Sequence, residues 1–297
     1  IIHRYRLLIK EGKLKINKKL NELMITKFSR KTSGVIVITV LTSPYPTYTN
    51  KKGEKVTQKF SCGENCSYCP HETRINLTCE IRKQEETEKY KKLTLVSLED
   101  FTEEFRVVTY LTSSDKRQIA VHKADNFNGY SFDVYISKED YINGLCIATK
   151  VEQPRSYIST EPAVRRANKN NFDAVKQFND RAMTLYLCGM EIDKIELLVL
   201  GGTWSHYPRE YQEEFIRDLY YAANVFYNKE KRKKYSLQDE ILKNELSSCR
   251  IIGLTLETRP DCINRYEILR FRKYGCTRVQ LGVQHINDEI LKKINRG

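Results

Sequence analysis

Four short strand-like runs constrain the fold of this chain more than any other feature. Val35–Leu41 reads Val-Ile-Val-Ile-Thr-Val-Leu, and Ile195–Leu200, Ile251–Glu257 and Arg278–Gln284 follow it along the chain. The continuous β-branched run at Val35–Leu41 has the pattern of a strand buried on both faces of a parallel sheet or barrel, Ile251–Glu257 reads as a further buried strand, and Ile195–Leu200 and Arg278–Gln284 read as two more strands. Helical patterns separate them. Phe172–Met190 places Val175, Phe178, Ala182 and Leu185 on one face, and Pro208 opens a second helix with Tyr211, Phe215, Leu219, Ala222 and Phe226 on one face. A third spans 262–274 and is closed by Gly275, and a fourth covers Asp288–Ile294. Strand–helix alternation of this kind predicts parallel βα units, an α/β fold. With 297 residues, one large domain or a domain with an added module is expected.

Residues 71–152 interrupt the rhythm. Short alternating runs at Leu93–Ser97, Phe105–Leu111, Gln118–His122, Ser131–Ile136 and Leu145–Val151 are separated by turn residues. They predict a small β-rich module inserted into a main domain formed by 35–70 and 153–297. His71, Cys79 and His122 read as structural or surface residues, and residues 228–248 as a charged connector. Residues 1–34 carry ten Lys and Arg against Glu11 and Glu22, so the net charge is 10 − 2 = +8. Leu7, Leu14, Leu20, Leu23 and Met24 give this basic arm an apolar face. Such an arm suits phosphate contacts or simple packing on the main domain, and its sequence favours neither.

The chemistry gathers at strand ends. After the first run comes Cys62-Gly63-Glu64-Asn65-Cys66-Ser67-Tyr68-Cys69, a Cys-x3-Cys-x2-Cys loop. Three thiolates so close can hold three irons of a [4Fe–4S] cluster and leave the fourth iron open, where S-adenosylmethionine binds in radical chemistry. A zinc site completed by Cys79 is the alternative. The second run leads into Gly201-Gly202-Thr203, the third ends at Glu257 and the fourth at Gln284. Glycines let a ligand approach the backbone, a carboxylate receives an ammonium group, and an amide bonds ribose hydroxyls. The C-terminal ends of parallel strands are where α/β barrels place their chemistry. A net charge of +13 favours an anionic partner such as nucleic acid. The nine cysteines, without a secretion signal, suit a reducing, cytoplasmic setting, and no apolar run is long enough to span a membrane.

Taken in order, the motifs resemble the Elongator catalytic-subunit family. They are Ser33-Gly34-Val35, the cysteine triplet with Pro70, Ser156-Tyr157 and Glu161-Pro162, and Asp193-Lys194-Ile195-Glu196. Gly201-Gly202-Thr203, Glu257-Thr258-Arg259-Pro260-Asp261 and Leu281-Gly282-Val283-Gln284 complete the set. The resemblance covers most of 31–69 and 154–297. It implies a partial (β/α) radical S-adenosylmethionine barrel and a transferase acting on the wobble uridine of tRNA. In that chemistry a 5′-deoxyadenosyl radical activates acetyl-CoA and carboxymethyluridine results. By matched position Cys62, Cys66 and Cys69 hold the [4Fe–4S] cluster, while Gly201, Gly202, Thr203, Glu257 and Gln284 hold S-adenosylmethionine. Lys194 contacts acetyl-CoA, and the implied partners are tRNA and other Elongator-like subunits. Pro70-His71-Glu72 stands where the family usually has Pro-Gly-Gly, and Gln280 where it has Glu. The family's acetyltransferase-like domain has no counterpart in these residues, so the chain is expected to be a fragment. A tRNA-binding module of the same family that has lost catalysis is the alternative.

Overall fold

The computed structural model describes residues 2–23, 33–58, 60–70, 79–86, 90–97, 106–110, 118–128, 131–137, 146–148 and 153–296. Readings that rest on Met24, Lys27, Arg30, Lys31 and His71 lie outside the described residues, as do those on the side chains of Cys79 and His122. The chain divides into two compact units, one of Ile1–Pro70, Pro154–Tyr157 and Phe172–Gly297, the other of His71–Gln153 and Ile158–Asn171.

The first unit begins with helices α1 (Ile2–Lys10) and α2 (Lys18–Leu23), then strand β1 (Ile36–Leu41) and a small antiparallel pair, β2 (Thr47–Thr49) and β3 (Lys55–Thr57). The second unit holds a six-stranded sheet of β4 (Cys79–Glu86), β5 (Tyr90–Ser97), β6 (Arg106–Tyr110), β7 (Gln118–Asn128), β8 (Ser131–Ser137) and β9 (Cys146–Ala148). Its order is β4-β5-β8-β7-β6-β9, and every neighbour is antiparallel. Strand β4 is not foreseen because Cys-Glu-Ile-Arg-Lys-Gln-Glu-Glu has no clean alternation. Its register sets Glu85 opposite Lys92 and Glu86 opposite Lys91. Helix α3 (Pro162–Lys169), which starts on a proline, also belongs to this unit.

The first unit then continues with α4 (Ala174–Leu187), β10 (Lys194–Leu200), α5 (Arg209–Asn224), α6 (Leu237–Glu245), β11 (Arg250–Thr258), α7 (Arg265–Lys273), β12 (Arg278–Leu281) and α8 (Asp288–Lys293). Side chains of Asp173, Ser236, Asn264 and Asn287 cap α4, α6, α7 and α8. Helix α6 lies in the predicted connector; Ser236 with Asp239 three residues on, each bonded to the other, is its local start signal.

Strands β1, β10, β11 and β12 form one parallel sheet in chain order. Ile36, Ile38, Val40, Ile195, Leu197, Val199, Leu254 and Leu256 share a single core with Phe178 and Ala182 of α4, Phe215 and Leu219 of α5, and Phe271 of α7. The helices therefore cover one face. The fold is α/β, and the sheet shows no reversal of strand order among the described residues.

The expectation of burial on both faces fails at the other side. Val37 is 47% exposed and Glu196, Leu198 and Leu200 are only half-buried. Register aligns Val37 with Glu196, and Thr39 with Leu198 and Thr255, so these residues share the face away from the helices, which is open at β1 and β10 and buried at Thr255. Apolar character alone does not distinguish a face covered by helices from one that lines an opening.

The basic arm packs against the first unit where it is described. Arg6 is buried, donates to the Gly189 carbonyl beyond α4, and stacks 5.0 Å from the Tyr186 ring centroid. Lys10 Nζ lies 4.0 Å from the Phe226 centroid. The connector's cations are also engaged: Lys231 Nζ donates to the Val225 carbonyl at 2.5 Å, Arg232 grips Glu240 and Lys234 meets Asp218 at 2.7 Å. Among the described residues no helix is long and apolar enough to cross a membrane.

Candidate functional site

The ends of β1 and β10 hold the cysteine loop from beneath. Thr42, just after β1, donates its N–H to the Leu200 carbonyl at 2.9 Å, which aligns the two strand ends. Gly201 and Gly202 have φ of +119° and +48°. A Cβ on Gly201 would lie 2.3 Å from Thr42 Oγ1, and one on Gly202 would lie 2.8 Å from both Cβ and the carbonyl oxygen of Ser61. The close approach expected of a ligand is thus made by the chain itself. These glycines seat Ser61, the residue before Cys62.

Residues 154–157 close the loop from the side. Gly202 N–H donates to the Arg155 carbonyl at 3.2 Å, and Arg155 N–H to Ser61 Oγ at 3.2 Å. The Arg155 guanidinium reaches the Glu64 carbonyl. Ser156 has a φ of +76° and sets its hydroxyl 3.5 Å from Cys69 Sγ.

A short 3-10 turn at Trp204–His206 follows Thr203, anchored by the buried Trp204. It places Thr203 Oγ1 at 3.3 Å and His206 Nδ1 at 3.9 Å from Cys62 Sγ. Burial pushes the Cys62 thiol up, but hydrogen bonds from His206, Thr203 and the Glu64 N–H outweigh it and leave the thiol below its ordinary range. The same contact with Cys62 raises His206. His206 Nδ1 also lies 3.2 Å from the Gly63 N–H, so it accepts from that group when neutral and donates to sulfur when protonated.

Cys66 is buried at the centre of the loop and donor groups reach it from two sides. Arg259 NH1 is 3.5 Å and Arg296 NH1 3.8 Å from its Sγ. The loop is tied to the end of α8 by Ser67 N–H to the Ile294 carbonyl at 3.0 Å and Asn295 Nδ2 to the Asn65 carbonyl at 2.7 Å. Cys69 N–H donates to the Cys66 carbonyl at 3.1 Å, a turn that keeps these two cysteines together. Among the described residues no three His, Cys, Asp or Glu side chains are gathered into a group that could hold a metal ion. Each thiol instead faces its own donors, an environment of hydroxyl, imidazole and guanidinium groups suited in its chemistry to thiolates or an anionic cluster.

Glu257 lies near the end of β11 on the open face and accepts a 2.5 Å hydrogen bond from the Tyr157 hydroxyl. Burial raises its carboxyl above the ordinary range, and the Tyr157 bond offsets part of that rise. Gln284 is exposed, with φ +70°, beyond β12. Arg296, which donates to the Gly282 carbonyl, links that segment to the cysteine loop. Lys194 is not brought to this end. It is the exposed first residue of β10, six steps from Leu200, or about 20 Å at ~3.3 Å per residue.

The cysteine loop, Gly201–Thr203 and Glu257 thus lie at the same end of the sheet. Tyr157, His206, Arg259 and Arg296 belong with them and are not singled out by sequence reasoning. Tyr157 and Arg259 do lie in recognised motifs, whereas His206 and Arg296 carry no local signal.

No family model matches the chain. Among curated proteins it is 38% identical over 156 residues to the tRNA uridine(34) acetyltransferase of Dehalococcoides mccartyi, which is 52% of this chain and 33% of that protein. It is 41% identical over 144 residues to the enzyme of that name from Methanocaldococcus infernus, and 34% identical over 143 residues to Elongator complex protein 3 of Saccharomyces cerevisiae. Each of these two matches covers 48% of this chain, and 26% and 25% of the respective relative. About half of the chain is homologous to Elongator complex protein 3. A solved structure of the Methanocaldococcus infernus Elp3, lacking its N-terminus, is 41% identical over 43% of this chain and 29% of its own, at a TM-score of 0.40. The chain spans about a quarter to a third of the length of these curated relatives.

Proposed function

We propose that this chain carries the [4Fe–4S] and S-adenosylmethionine site of a radical enzyme that modifies the wobble uridine of tRNA. The observation that carries the reading is the meeting of the cysteine loop with the ends of β10 and β11. Thr203 lies within 3.3 Å of Cys62 and Arg259 within 3.5 Å of Cys66. The homology supports the tRNA role, since these relatives are named for uridine 34 of tRNA.

On this reading Cys62, Cys66 and Cys69 hold the cluster, which supplies the electron that cleaves S-adenosylmethionine. Glu257 receives the ammonium group of S-adenosylmethionine as a carboxylate, exchanging its bond to Tyr157 for an ion pair. Thr203 and His206 favour the thiolate of Cys62 against the opposing effect of burial. The Gly201-Gly202 seat fixes Ser61 and with it the start of the loop. Gln284 stands at the same end of the sheet for the ribose. Lys194 is the group this reading offers to acetyl-CoA, from the opposite end of the open face. The net charge of +13 suits phosphate contacts to tRNA, and other Elongator-like subunits are the proposed protein partners.

Anaerobically reconstituted protein, reduced with dithionite, is expected to cleave S-adenosylmethionine, and Cys66→Ala to abolish cleavage. Cleavage retained in Cys66→Ala contradicts the assignment. Salt-sensitive tRNA binding without cleavage by the wild type would instead identify a binding module.

A further inference from the structure

We infer that Arg259 and Arg296 form a guanidinium clamp on Cys66 that sets the charge balance, and hence the ease of reduction, of the group held by the cysteine loop. The inference rests on the proposed [4Fe–4S] reading of that loop. Its basis is an asymmetry among the three thiols. Cys62 faces a hydroxyl and an imidazole, and Cys69 faces the Ser156 hydroxyl. Cys66, buried to 4% exposure, has two guanidinium groups within 4 Å of its sulfur, at 3.5 and 3.8 Å.

Arg259 follows β11 and Arg296 follows α8, and each is fixed before it meets the sulfur. Arg259 is 2% exposed, and Asp261 accepts from its Nε at 2.9 and 3.2 Å and from NH2 at 2.5 Å. The edge bearing NH1 is left to face Cys66. Pairing with Asp261 raises Arg259 further and holds Asp261 below the usual carboxylate range, so both stay ionised. Arg296 donates NH2 to the Gly282 carbonyl and points NH1 at the same sulfur. The neighbouring Asn295 and Ile294 bond the loop backbone on either side of Cys66.

Two guanidinium groups are directed at one buried sulfur, while the carboxylates of Asp261 and Glu64 act on Arg259. A cation and N–H donors at that distance stabilise the more negative state of the group bound there, which for a cluster is the reduced one. Arg259 is therefore a positioning residue: it acts through Cys66 and touches no reacting atom of the substrate. Asp261 has a matching part, since it aims the guanidinium.

The test is an EPR-monitored redox titration of the anaerobically loaded protein with a one-electron chemical reductant. Arg259→Gln is expected to lower the reduced-to-oxidised ratio at fixed potential at least tenfold, equivalent to about 59 mV for a one-electron couple. Arg259→Lys, which keeps the charge, recovers at least half of that shift. Arg296→Gln gives a shift of the same sign from a more exposed position, and it carries the test if Arg259→Gln fails to load. Loaded variants that titrate with the wild type overturn the clamp alone, because loss of a merely structural arginine lowers iron content without moving the potential. A wild type that takes up no cluster overturns the reading of the loop, and the clamp with it.

Discussion

Gly202→Ala tests the packing on which the site is built. At φ +48° a side chain costs roughly 1–2 kcal/mol in backbone conformation. The added Cβ would sit 2.8 Å from both Cβ and the carbonyl oxygen of Ser61, so a separation of 3.4 Å requires a displacement of 3.4 − 2.8 = 0.6 Å. That displacement falls on backbone rather than on a flexible side-chain tip, and overpacking of this kind costs roughly 1–3 kcal/mol. The total is about 2–5 kcal/mol, measured as a fall in the urea midpoint at constant slope. Gly53→Ala is the control: its φ is +81° and nothing lies within 4 Å of the added atom, so only the backbone cost of about 1–2 kcal/mol applies. Because Ser61 precedes Cys62, Gly202→Ala should also weaken the 3.3 Å contact of Cys62 with Thr203 and reduce iron uptake, whereas Gly53→Ala should not. Equal effects of the two substitutions would refute the view that Gly202 seats the loop.

Glu240 is fully buried and accepts from Arg232 at 2.6 Å through both oxygens, from Tyr235 N–H at 2.9 Å and from Asn224 at 2.8 Å. Glu240→Ala should cost about 3–5 kcal/mol, seen by chemical denaturation, because the half-buried Arg232 loses its counter-charge. These bonds hold its carboxyl below 4.5 against the opposing effect of burial, so their stabilisation is complete above that pH and is lost as pH falls through the lower folded value. Lys10 behaves in the opposite way: burial, reinforced by Lys231, lowers it from 10.5 to about 8. The folded state therefore binds fewer protons than the unfolded state between those values, and stability rises as pH climbs from about 8 to 10.5. Lys10→Met should raise the melting temperature at pH 7 and flatten that rise; a wild-type profile in the variant would contradict the assignment. Glu257 must be ionised to receive an ammonium group, and burial raises its carboxyl. Calorimetry should show S-adenosylmethionine affinity falling on acidification at a pH above the ordinary 4.5, with Glu257→Gln weak at every pH.

The elements that sequence made legible are those whose signal is local. Runs such as Ile195–Leu200 and the helical stretches 262–274 and Asp288–Ile294 announce strands and helices, and the cysteine triplet and Gly201-Gly202 are contiguous. What escaped depends on partners distant in the chain. The open face is invisible because Val37 and Ile38 are equally apolar, yet one is 47% and the other 0% exposed. Gly201 and Gly202 were recognisable as glycines needing room, but that Thr42 and Ser61 fill the room emerges only when the strands align. His206 and Arg296 are unremarkable in sequence and acquire meaning from sulfurs 144 and 230 residues away. The basic arm shows the same limit, since charge counting cannot reveal that Arg6 is buried against Gly189 and Tyr186.

The central claim, that Cys62, Cys66 and Cys69 hold an iron–sulfur cluster, is tested most directly by metal analysis with Mössbauer spectroscopy on protein loaded anaerobically. The account predicts about four irons per chain in a [4Fe–4S] spectrum, and none when the three cysteines are replaced by alanine. Tetrahedral zinc in their place, or iron uptake that survives the triple substitution, would contradict it.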